Sequence, residues 1–277
     1  MEFQDIIYTI EDGIATITLN RPEVRNSLRY QMYVDLQNAA RNIGADGDVR
    51  VVIITGSGGK AFCSGADIKA FYELERSIVN VRELISNAGL GTRRLKEIEV
   101  PVIGAANGAA LGGGLEILCT CDFRIASETA IFGLPEVNLG LIPGTGGVVE
   151  LPNIVGIAKA KEAILLGKIY KADEALQMGL VDKVVPQAQV IDEARALAKE
   201  LAAKPIAALK AAKMVLNSLM GMDWTNARRL ENEVADWTMM SNDGQEGLLA
   251  HIEKRKPEFK GEEYVDAVKK GMAAKRL

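Results

Sequence analysis

The chain has 277 residues, 48% hydrophobic and 25% charged, with a net charge of −4. This length suits one large core or a core with an appendage, and the acidic balance leaves no electrostatic case for nucleic acid. No apolar run is long enough to span a bilayer, and the single histidine, His251, excludes multi-histidine zinc sites and makes a Ser-His-Asp triad improbable.

The opening M-E-F-Q-D-I-I-Y lacks the basic and apolar regions of a signal peptide. Cys63, Cys119 and Cys121 are odd in number and include a C-x-C pair, which makes no disulfide framework. The expectation is a reduced, cytoplasmic protein. Ile6–Ile10 and Ile14–Leu19 alternate apolar and polar residues around Asp12-Gly13, which predicts a hairpin. Ser27 is placed to cap a helix running to about Ile43, with Leu28, Met32 and Leu36 on one face. Val51–Thr55 reads as a buried strand, followed by the glycine-rich G-S-G-G-K-A-F-C-S-G-A-D, which enters a helix near Asp67. From Phe71 to Glu99 the pattern is helical but interrupted by Gly89 and Gly91, and mobility is expected there.

Val100–Ala106 reads as a second buried strand, broken by Asn107-Gly108. Gly112–Gly114 follow, and a helical stretch begins at Leu115 with Glu116 in its first turn. A helix N-terminus carries unpaired N–H groups and partial positive charge, and glycines let another molecule approach the backbone. The simpler reading is a tight crossover that needs small residues for packing. Asp122–Ala126 and Ala130–Phe132 read as strands. Phe132–Gly147, with two prolines and five glycines, cannot be one continuous helix. Glu136 sits there among apolar neighbours, either capping a turn or held in a pocket with a raised pKa.

Helical patterns then run over Lys159–Leu166, Ala172–Met178 and Val190–Ala203, with a last strand at Val181–Val185. Pro205–Met220, Trp224–Met240 and Gln245–Arg255 complete a helical appendage that begins near residue 200, with Pro205 in the first turn of its helix. Lys260–Leu277, with Tyr264, Val265, Val268 and Met272 near helical spacing, reads as a frayed, solvated tail.

Strand, glycine loop and helix occur at 51–70 and again at 101–120. Two such loops can each aim one N–H at the same carbonyl, which is what an oxyanion hole requires. With Glu116 and Glu136 nearby, the outline is thioester or ester chemistry through an enolate, one carboxylate taking a proton and the other giving one. Cys63 reads as a packing residue, since no histidine is placed to activate it.

These pieces carry a resemblance. L-N-R-P-E-V-R-N-S-L at 19–28, A-F-C-S-G-A-D-I-K at 61–69, N-G-A-A-L-G-G-G-L-E at 107–116 and F-G-L-P-E-V-N-L-G-L-I-P-G-T-G-G at 132–147 resemble the crotonase (enoyl-CoA hydratase/isomerase) superfamily. E-G-L-L-A-H-I-E-K-R-K-P-E-F at 246–259 is similar to its C-terminal segment, so the likeness covers nearly the whole chain. It implies an α/β crotonase spiral of ββα units over 1–200, and a helical region over 201–277 that serves oligomerisation and completes the CoA site. It further implies a homotrimer or homohexamer acting on an acyl-CoA, with no metal or redox cofactor.

Residue by residue, the resemblance assigns the oxyanion donors to the N–H groups of Ala66 and Gly113. Glu116 becomes the base that activates water, and Glu136 the donor of a proton to the α-carbon. Gly144 would place an N–H near the water. Val24, Arg25, Ser64, Ala66, Asp67, Ile68, Gly112 and Lys254 would border CoA, with Arg25 and Lys254 as phosphate contacts. Two departures stand out. V-V-E-L at 148–151 replaces the common T-Q-R-L, removing two polar groups and reversing a charge, and Trp237 lies out of clear register with the family's adenine-stacking aromatic. The implied reaction is syn hydration of a trans-2-enoyl-CoA. The alternatives are Δ3,Δ2-isomerisation, hydration of a branched, cyclic or dienoyl substrate, and a non-enzymatic acyl-CoA- or RNA-binding member.

Overall fold

In the computed structural model, residues 3–73 and 77–260 are described. The tail residues Tyr264, Val265, Val268 and Met272 lie outside them. The strands are β1 (Ile6–Glu11), β2 (Ile14–Leu19), β3 (Val51–Gly56), β4 (Ala61–Cys63), β5 (Val102–Ala106), β6 (Ala109–Leu111), β7 (Phe123–Ser127), β8 (Ile131–Gly133), β9 (Ile169–Lys171) and β10 (Lys183–Val185). The helices are α1 (Tyr30–Ala45), α2 (Ile68–Glu73), α3 (Ile78–Lys96), α4 (Gly113–Cys119), α5 (Gly147–Val155), α6 (Ile157–Leu165), α7 (Ala172–Gln177), α8 (Val190–Ala202), α9 (Ile206–Ser218), α10 (Trp224–Met240) and α11 (Asn242–Glu253).

The described residues divide into two compact units, those up to 98 with 102–199, and 99–101 with those from 200 on. In the first, β1 and β2 form the expected hairpin, with Asp12 and Gly13 both at positive φ, as a two-residue turn matching strand twist requires. A six-stranded sheet runs β1-β2-β3-β5-β7-β10, and a four-stranded sheet runs β4-β6-β8-β9. The pairs β3/β4, β5/β6 and β7/β8 each give one strand to each sheet, all in parallel with the equivalent strand of the next pair. That is the ββα spiral. Every residue of β3 and β5 is buried, as expected of parallel strands covered on both faces.

Several expectations are corrected. Ser27 does not cap α1, which begins at Tyr30 after Arg29. Leu28 is drawn instead into a parallel bridge with Ala66, and Ser27 is buried beside Arg21. Gly89 and Gly91 do not interrupt α3, which runs continuously from a Ser77 cap. A Cβ on Gly91 would lie 3.1 Å from Tyr33 Cδ1 and 3.4 Å from its carbonyl oxygen, so this glycine is what lets α3 lie close against α1. Pro205 is the N-cap residue of α9 and stands just outside its first turn.

In the second unit, Ala207, Ala211, Val234 and Trp237 pack α9 against α10. Trp237 is therefore a core residue of that unit. Lys213 Nζ donates to the Val100 carbonyl at 2.9 Å, tying the short 99–101 segment to α9.

Candidate functional site

The site is built at the N-terminus of α4, where β6 ends and three glycines run into the helix. Gly112 has φ +51 and is the N-cap residue, so Gly113 supplies the first helical N–H, which has no intrahelical partner. The second loop arrives alongside. Gly65 has φ +92, and a Cβ there would lie 2.8 Å from the Leu111 carbonyl oxygen and 3.5 Å from the Gly113 nitrogen. Only glycine allows that approach.

Leu28 fixes the next residue. Its N–H donates to the Gly65 carbonyl at 2.8 Å, and its carbonyl accepts from Asp67 N–H at 2.9 Å. Those bonds use the groups on either side of Ala66, so the N–H of Ala66 faces away from Leu28. The two loops thus bring the backbone of Gly65 against that of Gly112-Gly113, and the Leu28 bonds leave the N–H of Ala66 unused.

Glu116, in the first turn of α4, is 3% exposed. Its Oε1 accepts from Thr145 N–H and Gly147 N–H, each at 2.8 Å, and its Oε2 accepts from the Thr145 hydroxyl. The carboxylate is held by a turn that is distant in sequence. Gly144 is exposed in that turn; the amides that bind a site residue are those of Thr145 and Gly147, which the sequence reading did not single out. A Cβ on Gly147 would lie 3.1 Å from Glu116 Cγ, so a side chain there would displace the carboxylate.

Glu136 enters on a short 3-10 turn, Pro135–Leu139, after β8. Its Oε1 lies 3.0 Å from where a Gly112 Cβ would stand, and Oε2 is buried without a hydrogen-bond partner among the described residues. Burial pushes its carboxyl up to about 7; its own backbone N–H opposes this and Glu116 adds to it. Glu116 Oε2 in turn lies 3.8 Å from the Cβ position of Gly113. The two carboxylates therefore reach adjacent residues at the mouth of one helix, and their environments differ as an acid–base pair requires.

Tyr33, also unremarked in sequence, lies behind this point. Its hydroxyl is 3.5 Å from the Gly113 Cβ position, and burial, with Cys63 and Glu116 nearby, raises its phenol far above the usual range. Cys63 is fully buried, and its thiol is pushed up to about 12 by burial, which suits packing and not nucleophilic chemistry.

The remaining candidates sit on the rim of the first unit, with one exception. Val24 and Arg25 are exposed, and Arg25 is left-handed at φ +55. The carbonyls of Val24 and Arg25 accept from the hydroxyl and N–H of Ser64 at 3.4 and 3.0 Å. Asp67 is paired with Arg21 at 3.2 Å and accepts from Ala70 N–H; burial opposes, but these bonds hold its carboxyl below the ordinary value. Ile68 is 51% exposed. Lys254 belongs to the second unit, where it ends α11 in a left-handed conformation. Asn26, buried and missed, organises the rim. Its Nδ2 donates to the carbonyls of Ser57 and Ala61, and its Oδ1 accepts from Arg21 N–H. Among the described residues no cluster of histidine, cysteine or carboxylate groups has metal-binding geometry.

Comparison with known proteins gives the family. The family described as Enoyl-CoA hydratase/isomerase matches residues 9–262. A crotonyl-CoA hydratase of Syntrophomonas wolfei is 37% identical over 94% of this chain and 99% of its own. A short-chain-enoyl-CoA hydratase of Clostridium acetobutylicum is 38% identical over 93% and 98%. The crystal structure of an enoyl-CoA hydratase from Bacillus anthracis superposes with a TM-score of 0.89 at 37% identity, covering 94% of this chain and all of that one.

Proposed function

The chain belongs to the enoyl-CoA hydratase/isomerase family, and we propose from that premise that it adds water reversibly to a trans-2-enoyl-CoA, giving the 3-hydroxyacyl-CoA. The observation that carries this reading is the convergence of Glu116 and Glu136 on Gly112-Gly113 beside the Gly65-Ala66 loop. The N–H groups of Ala66 and Gly113 polarise the thioester carbonyl and hold the enolate oxygen as charge develops there. Glu116, oriented by three donors from the 145–147 turn, takes a proton from water as it attacks the β-carbon. Glu136 gives its proton to the α-carbon. No metal ion or redox group enters these steps, and CoA arrives as part of the substrate, with Arg25 as a candidate phosphate contact. The glutamate pair speaks against a purely binding role, and the acidic net charge against RNA.

The pH dependence follows from Glu136. Hydration needs its protonated form, and burial places its pKa at about 7 in the free protein. Above that pH the kcat/KM for hydration should fall about tenfold per unit, while dehydration of the product should gain from the ionised form. The assay is loss of the enoyl-thioester absorbance of crotonyl-CoA, with the 3-hydroxy product identified. A hydration rate that rises steadily through pH 7 to 9 would remove Glu136 from the acid role.

Assembly as a homotrimer or a dimer of trimers is part of the proposal. Leu139, Leu141, Ile142, Val149 and Ile157 are all more than half exposed in the first unit, an apolar surface that favours covering by another subunit. Light scattering should give three or six times the chain mass. A stable monomer at micromolar concentration would contradict it.

A further inference from the structure

The grip on Glu116 lies in the turn that leads into α5, where the Gly146 carbonyl accepts from the N–H groups of Val149 and Glu150. Residues 144, 146 and 147 are glycine, with Gly146 at φ +134, yet this turn supplies all three donors to the carboxylate. Its placement sets the placement of Glu116.

Two side chains of α3, one helical turn apart, reach that turn and the helix it leads into. The Thr92 hydroxyl is bonded to the Thr145 carbonyl, the closest of the three acceptors around it; the others are Gly89 and Ala88 of its own helix, at 3.1 and 3.5 Å. Thr92 is 3% exposed. Lys96 Nζ lies 3.3 Å from Glu150 Oε2, in the first turn of α5, with side chains only 26% and 17% exposed. The charge reversed at Glu150 in the V-V-E-L segment thus has its partner on α3. Ala88, Gly91, Thr92 and Leu95 form the buried stripe of α3, so the helix that reaches the turn is itself anchored in the core.

We infer that Thr92 and the Lys96–Glu150 pair are positioning residues that hold the 145–147 turn, and through it orient Glu116 for attack by water. The inference rests on the hydratase reading, which assigns Glu116 to the water and Glu136 to the α-carbon. A group acting through the turn should therefore affect one half of the chemistry and not the other.

The experiment compares the intact enzyme with Thr92→Val, Thr92→Ser, Lys96→Glu, Glu150→Lys and the double Lys96→Glu/Glu150→Lys. Two rates are measured on each: crotonyl-CoA hydration, and exchange of the α-protons of butyryl-CoA in deuterated water, which needs Glu136 and the N–H donors only. Thr92→Val should lower kcat for hydration roughly tenfold, the scale of a small misplacement of a catalytic group. KM and α-proton exchange should stay at the wild-type value, and Thr92→Ser, which keeps the hydroxyl, should retain kcat. Each single charge reversal should lower kcat for hydration, and the double variant should recover most of it. Equal loss of hydration and exchange, an unchanged kcat in Thr92→Val, or a double variant no better than the singles would overturn the inference. A wild type that exchanges α-protons but does not hydrate would overturn the reading beneath it, and that result is distinct because it needs no variant.

Discussion

Glu116→Gln is expected to lower crotonyl-CoA hydration by about 10²–10⁴-fold, the range for loss of a general acid–base group. The amide keeps the size of the side chain but not its basicity. It also conflicts with its surroundings. Both Glu116 oxygens accept, one from the N–H groups of Thr145 and Gly147 and the other from the Thr145 hydroxyl. A glutamine offers one acceptor oxygen, and its NH2 must face a group that was donating. The Thr145 hydroxyl can rotate to accept, so the fold should survive; the two backbone donors cannot, which fixes the amide oxygen on their side. Acyl-CoA binding should be retained, because the N–H donors of Ala66 and Gly113 are untouched. Glu136→Gln should damage hydration comparably and, unlike Glu116→Gln, also suppress α-proton exchange. The pair of variants is read by hydration kinetics with crotonyl-CoA and by exchange with butyryl-CoA. A Glu116→Gln enzyme hydrating at the wild-type rate would remove this residue from the mechanism.

Gly113→Pro should cost about 10²–10³-fold in turnover, the effect of losing one oxyanion donor. The substitution suits the site better than it would most. Gly113 is the first residue of α4, the one helical position where proline's fixed φ and missing N–H are tolerated. The preceding residue, which proline restricts, is itself a glycine. The steric cost falls on Leu28, whose Cδ1 lies 2.7 Å from the Cβ position and is the end of a side chain that can rotate. Gly114 is the contrasting case: a Cβ there would lie 2.2 Å from the Cys63 carbonyl oxygen, which is backbone and cannot give way. Circular dichroism should therefore show Gly113→Pro folded and Gly114→Ala destabilised. A folded Gly113→Pro enzyme with full activity would rule out its N–H as a donor.

The sequence made the frame legible where local pattern and tertiary pairing agree. The Asp12-Gly13 hairpin, the buried runs at β3 and β5, and the helix of Trp224–Met240 all carry periods long enough to read. The repeated strand–glycine–helix order pointed to two loops meeting, and the structure brings them together at Gly65 and Gly113. The strands β4, β6 and β9 are three residues each, too short to show alternation. The start of α1 moved because Leu28 gains a bridge to Ala66, a pairing that no local signal announces. Gly91 looked like a break because its use is a contact with Tyr33 on another helix. The grip on Glu116 was hidden for the same reason. Thr145 is 29 residues from Glu116, and Thr92 is 53 from Thr145, so only the folded chain shows that one holds the other.

The most direct test sets two reactions against each other in the unmodified enzyme. Hydration must position water and move a proton from it, so it needs both carboxylates; isomerisation of a 3-enoyl-CoA moves a proton along the substrate and needs no bound water. Rates are measured with crotonyl-CoA and with the matching 3-enoyl-CoA, in wild type and Glu116→Gln. The expected result is a wild type that hydrates faster than it isomerises and a variant that loses hydration. A wild type that isomerises well, hydrates poorly and is indifferent to the change at Glu116 would contradict the assignment and make the isomerase reading the correct one.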